Sequence, residues 1–238
     1  MNNKTVVIIG GSSGIGFEVA KLLNQQGARL IIVGRNPDKL SIAIKHLGNA
    51  SEIAILDAHD EIALEIYFSN LKGIDHLVSL IGDSMSGGFV TTSTETMNHV
   101  LHSKFYTNWL IAKYAASKMM EGGSMTFTAG TGGRPQDISA SYVANLGVRA
   151  MVEGLAVELA PKIRVNAVSP TFMGVQTDFW KDMPPEEIKK AQAEFIKKVP
   201  LQRLGTPAEV ATAYVYLMTN SFITGQVLNV DGGVMLTV

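Results

Sequence analysis

Short, unbroken apolar runs recur along this chain, and each is followed by a segment whose apolar residues fall at helical spacing. Thr5 to Ile9 is the first run. Gly14 to Gln26 is the first helical segment, with Val19, Leu22 and Leu23 on one face and Gly27 as a stop. Leu30 to Val33 and Pro37 to Leu47 repeat the pair, and Ile53 to Leu56, Ile74 to Leu80, Met125 to Thr128 and Ile163 to Val168 continue the strand pattern. A strand with one face in water would alternate apolar and polar residues. Continuous apolar strands are covered on both faces, as happens when helices cross over a parallel sheet. Crossovers of the usual right hand then give a doubly wound α/β fold, with a parallel sheet of about seven strands and helices on both faces. The 238 residues suit one domain spanning 1–238, and a 46% hydrophobic content fills its core. The least regular stretch, Thr171 to Pro200, reads as a lid over a pocket or as a surface excursion, and its Phe172, Met173, Phe179, Trp180 and Met183 read equally as apolar pocket lining or as core.

Composition narrows the function classes. A formal net charge of −1 gives no electrostatic reason to bind nucleic acid or an anionic membrane. With no cysteine, disulfides and thiolate metal sites are excluded. His59, His76, His99 and His102 lack the spacing and third ligand of a metal centre, so none is expected. The start, Met1-Asn2-Asn3-Lys4, runs straight into a strand without signal-peptide features, and no apolar run reaches the roughly 18 residues that span a bilayer. A cytoplasmic location is expected.

The motif with chemical content lies between the first strand and the first helix: Gly10-Gly11-Ser12-Ser13-Gly14-Ile15-Gly16. Glycines let the backbone turn sharply and approach a pyrophosphate. The helix N-terminus that follows offers free N–H groups and the positive end of its dipole. Gly10, Gly14 and Gly16 are spaced differently from the common dinucleotide fingerprint, which places a residue between its first two glycines.

This loop resembles that of the short-chain dehydrogenase/reductase family, Thr-Gly-x-x-x-Gly-x-Gly, with Ile9 in place of the Thr. The likeness continues through Asp57 after the third strand, Arg164-Val165-Asn166-Ala167-Val168-Ser169-Pro170, Pro200 to Gly205, and Thr224-Gly225 to Asp231-Gly232-Gly233. It implies a Rossmann-like fold, hydride transfer between a nicotinamide and a carbonyl or alcohol substrate, and a homo-oligomer, either tetramer or dimer. Asp57 is implied to contact the adenine. NAD-binding members usually end the second strand with an acidic residue. Here that place is Gly34, followed by Arg35, whose guanidinium suits a 2′-phosphate. The expected cofactor is therefore NADP(H), held by Gly10, Ser12, Ser13, Gly14, Ile15, Gly16, Arg35, Asp57, Gly82, Pro170 and Thr171.

The family's catalytic positions are largely altered. Its proton-exchanging Tyr reads as Tyr142, on a register taken from Leu155 to Pro161. Its Lys four residues later then reads as Leu146, its Ser as Ala129 or Gly130, and its Asn as Lys104. Of its Asn-Asn-Ala-Gly after the fourth strand, Ser79-Leu80-Ile81-Gly82 keeps only the glycine. A cation about 4 Å from a phenolate stabilises it by roughly 4 kcal/mol at an effective dielectric of 20, or about three pKa units. Without one, Tyr142 stays protonated, which favours carbonyl reduction. Tyr142 and Lys104 are the catalytic candidates, Lys104 replacing the lost ammonium. The alternative is an NADP(H)-binding regulatory or scaffold protein.

Overall fold

A computed structural model describes residues 1–48, 51–173 and 184–237. Seven parallel strands form one sheet in the order β3-β2-β1-β4-β5-β6-β7: β1 (Thr5–Ile9), β2 (Arg29–Gly34), β3 (Ser51–Ile55), β4 (Ile74–Ser79), β5 (Met119–Thr128), β6 (Ile163–Pro170) and β7 (Val227–Val230). Helices α1 (Gly14–Gln25), α2 (Pro37–Leu47), α3 (Glu61–Asn70), α4 (Thr94–Val100), α5 (Thr107–Ala115), α6 (Ser139–Glu158), α7 (Pro185–Ile196) and α8 (Pro207–Thr219) connect them. This is the doubly wound fold expected from the alternating runs.

The two-residue period of a strand sorts its side chains into two cores. Val7, Ile9, Ile31 and Val33 face a cluster completed by Leu64 and Phe68 of α3, Leu110 and Ile111 of α5, and Val148 and Val152 of α6. Val6, Ile8, Leu30 and Ile32 face the other side, against Val19 and Leu23 of α1, Leu40 of α2, and Val210, Tyr214 and Leu217 of α8. All eight strand residues are buried. That is why these strands carry no polar alternation.

Arg164 and Asn166 do structural work on the far side of the sheet. The Arg164 guanidinium donates to the carbonyls of Leu217 and Met218, both at 2.7 Å, so it neutralises the negative end of α8. Asn166 donates to Ile223 O and accepts from Gln226 N–H, which fixes the chain entering β7. Buried His76 shares a 2.8 Å hydrogen bond with Ser124 between β4 and β5, and burial pulls its imidazole down to about 4. Among the described residues, no helix is long and apolar enough to cross a membrane.

Candidate active site

Strand order reverses between β1, which leads outward through β2 to β3, and β4, which leads through β5 to β7. Open α/β sheets bind ligands at such a switch point, beyond the carboxyl ends of the strands. All the strand-end residues named from the sequence gather along this edge. Gly10 follows β1, Arg35 follows β2, Asp57 lies just past β3, Gly82 lies past β4, and Pro170 ends β6 with Thr171 beside it.

The loop from Gly10 to Gly16 is shaped for close approach. A Cβ placed on Gly16 would lie 2.2 Å from Gly10 O, so only glycine fits where α1 begins. Ser13 is the N-cap of α1 but makes no side-chain capping bond, and the first turn holds no acidic residue. The helix therefore offers its first N–H groups and a positive dipole end, with no carboxylate in that turn to repel an anion. A Cβ on Gly34 would lie 3.5 Å from Ser12 Oγ, which puts Ser12 beside the end of β2. Arg35 is exposed there. Asp57 is also exposed, its carboxylate accepting from His59 N–H at 3.0 Å. These residues fit a dinucleotide: a glycine cradle and a helix terminus for the pyrophosphate, with the Arg35 guanidinium exposed at the end of β2.

On the β4–β6 side of the switch point is a cavity of about 270 Å³. Ile15, Leu80, Ile81, Met85, Phe172 and Met173 give it an apolar wall. Gly82, Pro170 and Thr171 line it as well. Phe172 stacks on Phe195 of α7 at 4.9 Å. Phe179, Trp180 and Met183 lie outside the described residues.

Among the described residues, one ionisable side chain lines this cavity. Lys104 is 6% exposed and its Nζ donates to Asn145 Oδ1 at 3.1 Å. Burial lowers the ammonium's pKa to about 8, with Asp83 pulling weakly the other way. The stem of Lys104 runs under Gly82, where a Cβ would lie 2.9 Å from three of its carbons.

Tyr142 is not among the residues that line this cavity; it lines an adjoining cleft that shares Ala129, Gly130, Thr131 and Asn145 with it. Successive helix residues are about 100° apart, and α6 turns Ser141 and Asn145 toward the cavity. Tyr142 and Leu146, one step further round, line a neighbouring cleft of about 80 Å³ with Arg149, Asn229 and Met235, and Leu146 is 49% exposed. Of Ser141 and Asn145, Asn145 is the residue that sequence reasoning missed, and it had a signal: with Ser141 it makes two polar residues four apart, on one face of a helix otherwise rich in Ala and Val.

The cavity hydroxyl on α6 is already engaged. Ser141 Oγ accepts from Met85 N–H at 2.8 Å and donates to Met85 O at 3.2 Å. Thr128 Oγ1 donates to Ser79 O at 2.7 Å and accepts from the buried Tyr214 hydroxyl at 2.6 Å. Ala129 and Gly130 line the cavity without a hydroxyl, and Gly130 lies against the Asn145 amide.

Comparison with known proteins agrees with this architecture. Residues 10–235 match a family model described as enoyl-(acyl carrier protein) reductase. The human 3-oxoacyl-[acyl-carrier-protein] reductase is 35% identical over 98% of this chain and 99% of its own length. The short-chain dehydrogenase/reductase malC of Malbranchea aurantiaca is 34% identical over 99% of this chain and 96% of its own. A short-chain dehydrogenase/reductase structure from Brucella melitensis superimposes with a TM-score of 0.86 at 28% identity, covering 98% of this chain and 97% of that one. The chain belongs to the short-chain dehydrogenase/reductase family, whose members are nicotinamide-dependent oxidoreductases.

Proposed function

We propose that this protein is an NADP(H)-dependent reductase of small, largely apolar carbonyl compounds, with Lys104 as the proton donor. The observation that carries this reading is Lys104 itself, a buried ammonium in the cavity, brought to about 8 and held by Asn145. An acid of that strength stays mostly protonated at pH 7 yet gives up its proton readily, the combination that general acid catalysis favours. Bound NADPH supplies the hydride. Lys104 then delivers the proton to the oxygen of the carbonyl being reduced, and water returns a proton to its amine. The apolar wall excludes bulk water and selects an apolar substrate. The family places an Asn on the earlier helix and a Lys on α6. With Ser141 and Asn145 as the cavity-facing pair, Lys104 and Asn145 supply the same two groups in exchanged positions.

Preference for NADPH rests on Arg35 and on the lack of an acidic residue at Gly34. Parallel strands lie about 4.8 Å apart and β1 stands between β2 and β4, so the end of β2 beside Arg35 and the end of β4, whose loop carries Gly82 against Lys104, are about 10 Å from one another. Only an extended ligand reaches both Arg35 and Lys104, and the N-terminus of α1 lies between them. Exposed apolar residues on α5 and α6 support a homo-oligomer joined through these helices.

The test combines binding and turnover. NADPH should bind more tightly than NADH, and Arg35→Ala should weaken NADPH about tenfold or more while leaving NADH nearly unchanged. With a panel of small ketones and aldehydes, Lys104→Met should lose about 10²-fold or more in kcat. Lys104→Arg should lose nearly as much, because a guanidinium keeps its proton. Tyr142→Phe should reduce the same substrates at close to the parent rate. Full activity in Lys104→Met would refute the assignment. A second reading, an NADP(H)-binding regulatory protein without turnover, draws support from the engaged hydroxyl of Ser141. It predicts NADPH binding with no reduction of any carbonyl.

A further inference from the structure

Leu101–Tyr106, between α4 and α5, forms a π turn, and Thr107 N–H closes onto His102 O five residues back. Such a turn takes in one extra residue and rotates what precedes it by about 100° relative to an unbroken α-helix. Lys104 sits within it. Two side chains from the next turn reach carbonyls inside it. Thr107 Oγ1 donates to His102 O at 2.9 Å, and Asn108 Nδ2 donates to Lys104 O at 2.5 Å.

Asn108 does more than close the turn. It is fully buried. Its Nδ2 also donates to Ile81 O at 3.2 Å, and its Oδ1 accepts from Ser79 Oγ at 2.6 Å. One amide thus joins the backbone of the residue that carries the ammonium, the loop that carries Gly82, and the end of β4. Gly82 in turn confines the Lys104 stem from above. We propose that Asn108 is the positioning residue of this site: it holds the π turn open and so aims Lys104 into the cavity. The proposal rests on the reading of Lys104 as proton donor, but its test needs no turnover.

The charged group acting on Lys104 among the described residues is Asp83, itself paired with His99 Nε2 at 2.8 Å. Lys104 titration can be followed in lysine-labelled protein by the ¹³Cε NMR shift, assigned through Lys104→Arg. The parent midpoint should lie near 8. In Asn108→Leu, which keeps the volume but removes the donors, the turn should relax and release the ammonium to water. The midpoint should then rise by about one unit or more toward the usual lysine value. Thr107→Val, which removes the other side-chain bond of the turn, should move it much less. An unchanged midpoint in folded Asn108→Leu, or an equal shift in Thr107→Val, overturns the proposal. Should Asn108→Leu fail to fold, Ser79→Ala loosens the same amide from its other end. A smaller rise supports the proposal and no rise overturns it. Loss of carbonyl reduction plays no part in either result, so failure of the functional reading remains separately visible.

Discussion

A lysine kept in an apolar cavity works against folding. Lys104 titrates at about 8 in the folded protein and 10.5 outside it. Below pH 8 both states are protonated and the full penalty is present. Between about 8 and 10.5 the unfolded chain binds more protons, so stability rises with pH through that window, by about 3 kcal/mol in the limit. Lys104→Met should therefore be more stable than the parent at pH 7, by about 1–3 kcal/mol, even though it loses catalysis. The gain should shrink through pH 9 and be largely gone by pH 10.5. Urea denaturation of both proteins at the three values checks this, and a less stable Met variant at pH 7 would contradict it. Lys104 was legible in the sequence because an ammonium stands where the family has an amide. Its partner was not. No composition or spacing rule fixes helix phase when both faces of α6 are rich in Ala and Val.

At the scale of elements, strand cores were readable, and strand ends only where the flanks change character abruptly. The apolar runs fix β1 and α2 to the residue, because both flanks change character abruptly. β5 begins at Met119, six residues before the expected Met125, because Glu121, Gly122 and Gly123 carry no strand signal, and the ladder to β4 shifts register there, from Met119 opposite Ile74 to Ser124 opposite His76. β7 is four residues long and partly exposed, too short to show a period, and only the family resemblance pointed to it. The loop before α1 was fully legible, since its glycines mark a backbone that must pass close to itself. The structure locates that demand at Gly16, whose Cβ would strike Gly10 O at 2.2 Å and Gly11 Cα at 2.9 Å. Gly16→Ala must push β1 and α1 apart at their junction. The expected cost is about 1–3 kcal/mol, seen as a Tm lower by roughly 3–10 °C. NADPH affinity should fall at least tenfold in a fluorescence titration. An alanine variant that binds like the parent would mean the pyrophosphate lies elsewhere.

At the scale of the whole molecule, the same two helices that carry the site also carry an apolar outer face. Trp109 of α5 and Leu146 and Val157 of α6 are 39%, 49% and 81% exposed, joined by Tyr106 and Val143. Lys104, in the π turn just before α5, hydrogen-bonds to Asn145 of α6. A second copy placed about a two-fold axis would cover this face with its own equivalent, since such an interface is self-complementary. Sedimentation velocity should accordingly show a dimer or tetramer at micromolar concentration. Leu146→Glu combined with Val157→Glu would bury like charges opposite one another, and should shift the protein to monomers. Pairing across this face would hold α5 and α6 at a fixed spacing. In the monomers, the Lys104–Asn145 bond should therefore loosen, and carbonyl reduction should fall while NADPH, held mainly by the loop before α1, still binds. A parent protein that sediments as a monomer would remove the interface from this account. Monomeric variants with full activity would separate assembly from the site.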